Sequence, residues 1–190
     1  MGDHTFFFYG TLMASPVLYR VCHGTSKPGP WQRDRLTIRP AVLHNFRRHR
    51  ALRRDYPAIV PVDEGEGAGS DKDKGSVTTT TSSVRGTLVS GLTDADIWRL
   101  DFFEGDEYEQ RNVKVRVLEK KEEGEGGGGQ VDGVVVTEWD RLRAEILEAK
   151  ETEEEVEAVT YVWVADRGIL EDEEWDFESF LSDKLTLWAG

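Results

Sequence analysis

The sequence predicts an α+β fold: a small mixed β-barrel, or a sheet curved nearly to closure, with helices packed outside it. Three observations point there. Six segments read as strands and only four as helices. The densest aromatic run of the chain, FFFY, falls inside one of the strand-like segments and not in a helix. Two low-complexity stretches each have strand-like sequence on both sides, so they are insertions and not domain boundaries. With 190 residues, 38% of them hydrophobic and 32% charged, including six Trp and eight Phe, the chain suits one domain over residues 1–190 with a core of its own.

In chain order, residues 5–9 form a strand that ends at Tyr9-Gly10-Thr11-Leu12 and turns toward a helix at 16–23. Residues 36–43 alternate loosely, and YPAIVP at 56–61 is a short strand bounded by prolines, which suits an edge. The stretch 63–83 has turn formers, mixed charge and no large apolar residue, and is expected to be a mobile loop. SVRGTLVSG at 83–91 returns to strand. A helix over 94–104 is framed by Thr93 with Asp96 at its start and Gly105 just past its end. In YEQRNVKVRVL at 108–118, Val113, Val115 and Val117 alternate with Lys114 and Arg116, the period of a half-buried strand. Residues 119–130, with four consecutive glycines, are a second expected mobile loop. Thr137-x-x-Asp140 opens an inserted acidic helix over about 138–151, whose Trp139, Leu142 and Ile146 make a packing stripe for a lid or buttress. A last strand at 156–165 and a helix at 174–187 complete the chain.

A net charge of -13 and a pI near 4.8 argue against nucleic acid or an anionic membrane as the partner of the whole surface. The charge is uneven. Residues 33–54 hold eight arginines and one aspartate, whereas residues 119–157 hold fourteen acidic and five basic side chains. The basic stretch reads either as an anion- or RNA-binding surface or as solvated strands facing the acidic insertion of the same molecule; no nucleic-acid motif accompanies it, so no nucleic-acid partner is expected. Cys22 is the only cysteine, which excludes an internal disulfide and suits a reducing compartment; as a residue type it reads as a small core hydrophobe. No targeting segment or membrane span is visible, and the expected location is cytoplasmic. Four scattered histidines and one cysteine without paired ligand spacing predict neither a metal site nor a cofactor.

Glu104 is the informative acid. In the helix over 94–104, Ile97, Leu100 and Glu104 fall on one face, so a carboxyl lies in line with the core stripe, with Asp101 beside it. Burial and the negative end of the helix dipole both push a glutamate up from its ordinary value of about 4.3. That makes it a candidate general acid and base; the bland alternative is an acid at a fraying helix end, bonded to Tyr108 or Arg111. The turn at Gly10 to Leu12 is able to present successive backbone N–H groups to a carboxylate or an oxyanion, or to be an ordinary connection.

FFFYGTLM, YPAIVP, VRGTLV, LDFFEGDEYEQRNVKV, TYVWV and EEWDFESFLSDKLTLW occur in an order that resembles the gamma-glutamylcyclotransferase-like family, in its branch of plant and fungal avirulence-induced proteins. The resemblance covers most of the chain outside the two loops and the acidic helix. It implies the gamma-glutamylcyclotransferase-like mixed barrel, a pocket between the YGTL turn and a catalytic glutamate, and no cofactor. It implies that Tyr9, Gly10, Thr11 and Leu12 bind a gamma-glutamyl group, that Glu104 is the acid/base, and that Tyr108 and Tyr161 line the pocket. Arg85 and Arg111 are candidates either for a substrate carboxylate or Glu104, or for strand-end ion pairs. The implied reaction releases 5-oxoproline and an amine or amino acid from a small gamma-glutamyl compound. A protein that binds a small ligand on the same fold without turnover is the alternative.

Overall fold

The computed structural model describes residues 2–62, 82–119 and 138–190, with residues 138–141 as backbone only. The expected loops at 63–83 and 119–130 lie outside the described residues except at their ends, where Ser83 opens a strand and Glu119 closes one. In chain order the elements are β1 (His4–Phe8), α1 (Ser15–His23), α2 (Pro30–Arg33), β2 (Thr37–His44), β3 (Phe46–Arg50), β4 (Pro57–Pro61), β5 (Ser83–Leu92), α3 (Asp94–Glu104), β6 (Tyr108–Glu119), α4 (Glu138–Glu148), β7 (Lys150–Trp163), α5 (Phe177–Asp183) and α6 (Leu185–Ala189). Single 3-10 turns follow β1 at Thr11–Met13, follow α3 at Gly105–Glu107 and follow β7 at Arg167–Ile169.

Five strands curl into a closed sheet in the order β1-β5-β2-β6-β7, and β3 with β4 forms a separate two-stranded ribbon. Neighbours are antiparallel except β1 and β7, which meet in parallel through the pair Phe6 and Val159. The buried Thr160 hydroxyl reinforces this seam by donating to the Phe7 carbonyl at 2.8 Å. Closure explains the aromatic run. Phe7 and Tyr9 pack among strand residues such as Ala41, Val84, Leu88 and Val115, while Phe6 and Phe8 pack against Val17 and Leu18 of α1, Leu100 of α3 and Phe180 of α5. Alternate side chains thus enter two apolar layers, and a strand covered on both faces carries no polar alternation. Each buried Phe is worth roughly 1.5–3 kcal/mol against its exposed state. Gly86 of β5 lets β1 approach, since a Cβ there would collide with the Phe8 carbonyl and stand 2.8 Å from the Phe7 ring.

The basic sequence FRRHR takes the solvated-strand reading: it is β3, registered against the proline-bounded β4 from Phe46 opposite Pro61 to Arg50 opposite Pro57. Two expectations need correction. The last helix is two, because Lys184 at φ -121° breaks the path between α5 and α6. The inserted helix ends at Glu148, and β7 begins at Lys150, well before residue 156, continuing opposite β6 through Leu118 with Glu151 and Glu119 with Lys150. Of the two roles weighed for α4, the described residues support the buttress. Ile146 and Ala149 are buried, and Arg85 Nη1 donates to the carbonyls of Ile146 (3.0 Å) and Ala149 (2.9 Å) at its C-terminal end. Among the described residues, no helix is long and apolar enough to cross a membrane.

Candidate active site

α3 is set at both ends. Thr93 and Asp96 form a capping box in which the Asp96 carboxylate accepts from Thr93 N–H (2.9 Å) and Thr93 Oγ1 (2.7 Å). Asp96 is only 2% exposed and meets Arg35 at 3.4 Å, so the start of the helix is tied to the segment before β2. At the other end Gly105 takes φ +70°, which glycine adopts readily, and stops the helix. Glu104 is therefore the last helical residue, on the face of the fully buried Leu100.

Glu104 opens into a cavity of about 160 Å³. The floor is made by buried residues of β1 and the turn after it, Phe7, Phe8, Tyr9, Thr11 and Leu12, with Tyr161 of β7. Half-buried Tyr56, Phe103, Tyr108 and Trp188 form the mouth. Among the described residues no hydrogen-bond donor or cation is paired with the Glu104 carboxyl. Burial first, and the neighbouring Asp101 carboxylate second, push it up to about 8. Half of it would then be ionised near that pH, the condition for taking and returning a proton around neutrality.

The tyrosines around the acid are themselves fixed. Tyr9 Oη donates to the Tyr161 carbonyl, Tyr161 Oη to Asp101 Oδ1 and Tyr108 Oη to the Pro57 carbonyl, each at 2.7 Å. Burial is the first cause holding all three hydroxyls above their ordinary range, so they remain neutral. The turn starts at Gly10, whose carbonyl accepts from Met13 N–H at 2.9 Å. The N–H groups of Thr11 and Leu12 precede this first bonded turn and have no acceptor inside it. Gly10 has φ -125°, outside the left-handed region, and space demands glycine here: a Cβ would lie 2.7 Å from the Pro57 ring.

Tyr9, Gly10, Thr11, Leu12, Glu104, Tyr108 and Tyr161 thus surround one cavity. Arg85 and Arg111 do not line it. Arg85 serves the end of α4, and Arg111 pairs with Glu109 on its own strand. The alternative, a fraying helix end with Glu104 bonded to Tyr108 or Arg111, is not formed, and both of those side chains are engaged elsewhere. Tyr56, Pro57, Phe103 and Trp188 join the cavity without having been singled out in the sequence. Tyr56 and Pro57 open YPAIVP, Phe103 precedes Glu104 in LDFFEGDEYEQRNVKV, and Trp188 closes EEWDFESFLSDKLTLW, so the motifs held all four without marking any of them as a site residue. Arg48 was missed as well. Its Nη1 donates to the Tyr9 carbonyl at 2.9 Å, one residue before the turn, while Nη2 pairs with Glu174 at 2.8 Å. Among the described residues no three His, Cys, Asp or Glu side chains gather as a metal site.

The curled five-stranded sheet with flanking helices brings the carboxyl at the end of α3 and the glycine turn after the first strand to one cavity. Residues 6–131 match the family model described as gamma-glutamyl cyclotransferase, AIG2-like, and the chain belongs to this family. It is similar to protein AIG2 C of Arabidopsis thaliana, 24% identical over 178 residues that cover 94% of this chain and 72% of the relative. AIG2-like protein D of the same plant is 32% identical over 120 residues, 63% of this chain and 61% of its own length. A solution structure of an Arabidopsis thaliana protein shares the fold with a TM-score of 0.51 at 24% identity, covering 94% of this chain and 73% of that one.

Proposed function

We propose that the protein is a gamma-glutamyl cyclotransferase-type enzyme that converts a small gamma-glutamyl compound into 5-oxoproline and a free amine or amino acid. The observation that carries this reading is the Glu104 carboxyl, unpaired among the described residues, opening into an aromatic cavity beside the Gly10 turn and pushed up to about 8. An acid kept without a partner in an apolar cavity costs stability, which suits a proton-transfer role better than a structural one.

In the proposed reaction the substrate's alpha-ammonium gives a proton to Glu104. The freed amine nitrogen attacks the gamma-carbonyl carbon of the same residue, and the carbonyl oxygen becomes an oxyanion facing the N–H groups of Thr11 and Leu12. The tetrahedral intermediate collapses by breaking the original amide C–N bond as the oxyanion re-forms the carbonyl, and the proton returns from Glu104 to the leaving nitrogen. The ring nitrogen, which carries two hydrogens after the attack, gives its second proton to the freed amine or to water and is left as the lactam N–H. The ring closes within one molecule, so orientation and a single acid/base suffice.

Incubation with a panel of gamma-glutamyl compounds, read by 5-oxoproline release, tests this. Glu104→Gln keeps shape but not the proton acceptor, and turnover is expected to fall by roughly 100-fold or more while ligand binding persists. Undiminished release by that variant overturns the assignment. A wild-type protein that binds a gamma-glutamyl compound without releasing 5-oxoproline supports the ligand-binding alternative instead.

A further inference from the structure

Asp101 lies three residues before Glu104 on α3, one turn away on the same side of the helix. Two other elements clamp its carboxylate. Oδ1 accepts from Tyr161 Oη of β7 at 2.7 Å and from Gln110 Nε2 of β6 at 2.6 Å. Tyr161 is a wall of the cavity, 4% exposed, with its ring 5.6 Å from that of Phe6, and its carbonyl holds the Tyr9 hydroxyl. One exposed carboxylate thus ties the helix that carries Glu104 to two barrel strands and, through Tyr161, to the residue before the Gly10 turn.

We infer that Asp101 is a positioning residue of this site: clamped by Tyr161 and Gln110, its carboxylate orients the Tyr161 wall and keeps a fixed negative charge one helical turn before Glu104. The inference rests on the proposed acid/base role of Glu104 and adds what sets its working pH. The groups facing Glu104 from the packed elements are Tyr9 just after β1, Tyr108 of β6 and Tyr161 of β7, with Tyr56 and Trp188 at the mouth. Burial leads in keeping all four tyrosine hydroxyls neutral, and tryptophan carries no charge. Arg48 bears on Tyr9, and Glu107 bears on Tyr56 and Tyr108. Of the described residues, the charge that bears on Glu104 is that of Asp101. Like charges disfavour each other, so Asp101 favours the protonated acid and the base form appears at a higher pH than burial alone would give.

Asp101→Asn separates charge from hydrogen bonding, because its Oδ1 still accepts from Tyr161 and Gln110. Asp101→Leu removes both. A carbon-13 NMR titration of glutamate-labelled protein, with the Glu104 signal assigned by its absence in Glu104→Gln, reads the acid directly and needs no turnover. In Asp101→Asn the Glu104 midpoint is expected to fall by on the order of 0.5 pH, the scale of a screened unit charge at this spacing, and the difference from wild type should shrink as salt is raised. The acid limb of the 5-oxoproline rate should move by the same amount, while KM rises more in Asp101→Leu than in Asp101→Asn. An Asp101→Asn midpoint that stays in place or rises overturns the inference. If no compound yields 5-oxoproline, the proposed function fails, and the NMR midpoint still decides the role of Asp101.

Discussion

Glu104 holds its proton because the cavity does not solvate its anion, and this has a consequence for stability. The folded carboxyl titrates near 8 and the unfolded one near 4.5. Between those values the native state binds a proton that the unfolded chain has released, so stability falls as pH rises through that window. Glu104→Gln removes the titration. It should match wild type near pH 4, in the full protonation range, and be more stable at pH 8 by on the order of 1 kcal/mol, the full shift being discounted for the open side of the cavity. Urea unfolding at the two pH values measures this, and a variant less stable than wild type at pH 8 would refute it. Arg48 makes a second case at this scale. Its guanidinium is largely buried and holds the Tyr9 carbonyl, so Arg48→Met should cost roughly 1–3 kcal/mol, the range for leaving a buried acceptor unsatisfied. Weaker ligand binding should accompany the loss, because the carbonyl it fixes precedes Gly10. Glu104 was legible in the sequence because one acid interrupted an apolar helical face. Arg48 was not, because its value lies in a contact 39 residues away in the chain.

At the scale of elements, the sequence was read well where periodicity was clean and badly where charge hid it. α3 spans the expected 94–104, and β6 shows Val115 and Val117 buried between exposed Lys114 and Arg116. The first half of β7, KETEEEVE, resembles a solvated acidic run, yet it is a strand because its partners supply countercharge. Arg39 of β2 meets Glu154 at 2.7 Å and Lys114 of β6 meets Glu155 at 3.4 Å. The short α6 was merged with α5, although it brings Trp188 to the cavity mouth, edge-on to Phe103 at 5.8 Å and to Tyr56 at 6.5 Å. Trp188 is half-buried, so Trp188→Ala should leave the melting temperature within a few degrees of wild type, whereas affinity for a gamma-glutamyl ligand should fall on the order of tenfold or more. Titration of the Glu104→Gln background with and without the second change isolates binding from turnover. Equal affinities would mean that α6 only covers the core.

At the scale of the whole molecule, the uneven charge is largely answered within the chain. Arg48 pairs with Glu174, Arg50 with Glu171 and Glu173, Arg54 with Glu107 and Arg39 with Glu154; of these only Arg39 meets the acidic insertion, and the other three arginines are answered by acids at 107 and 171–174. Closure of the sheet was expected from the number of strands, but the seam depends on the single β1 to β7 pair and on Thr160, which no local pattern announces. One residue links the ends of the first low-complexity stretch. Asn45, between β2 and β3 at φ +63°, donates its N–H to the Ser82 carbonyl at 2.8 Å and accepts at its own carbonyl from Val62 N–H at 3.0 Å. The chain therefore leaves and re-enters the described structure beside the same backbone unit. Loop-closure entropy changes slowly with length, by about 0.6 kcal/mol per doubling, so a link of a few glycines and serines should replace residues 64–80. Cooperative thermal unfolding should persist, with stability equal to or slightly above that of the full chain, as expected if residues 1–190 form one domain with an inserted loop. Scanning calorimetry of the shortened chain tests this: loss of the single transition would show that residues 64–80 contribute to the core, and two separate transitions would divide the domain. The shortened chain should also retain 5-oxoproline release if the cavity residues of the described structure suffice for the reaction.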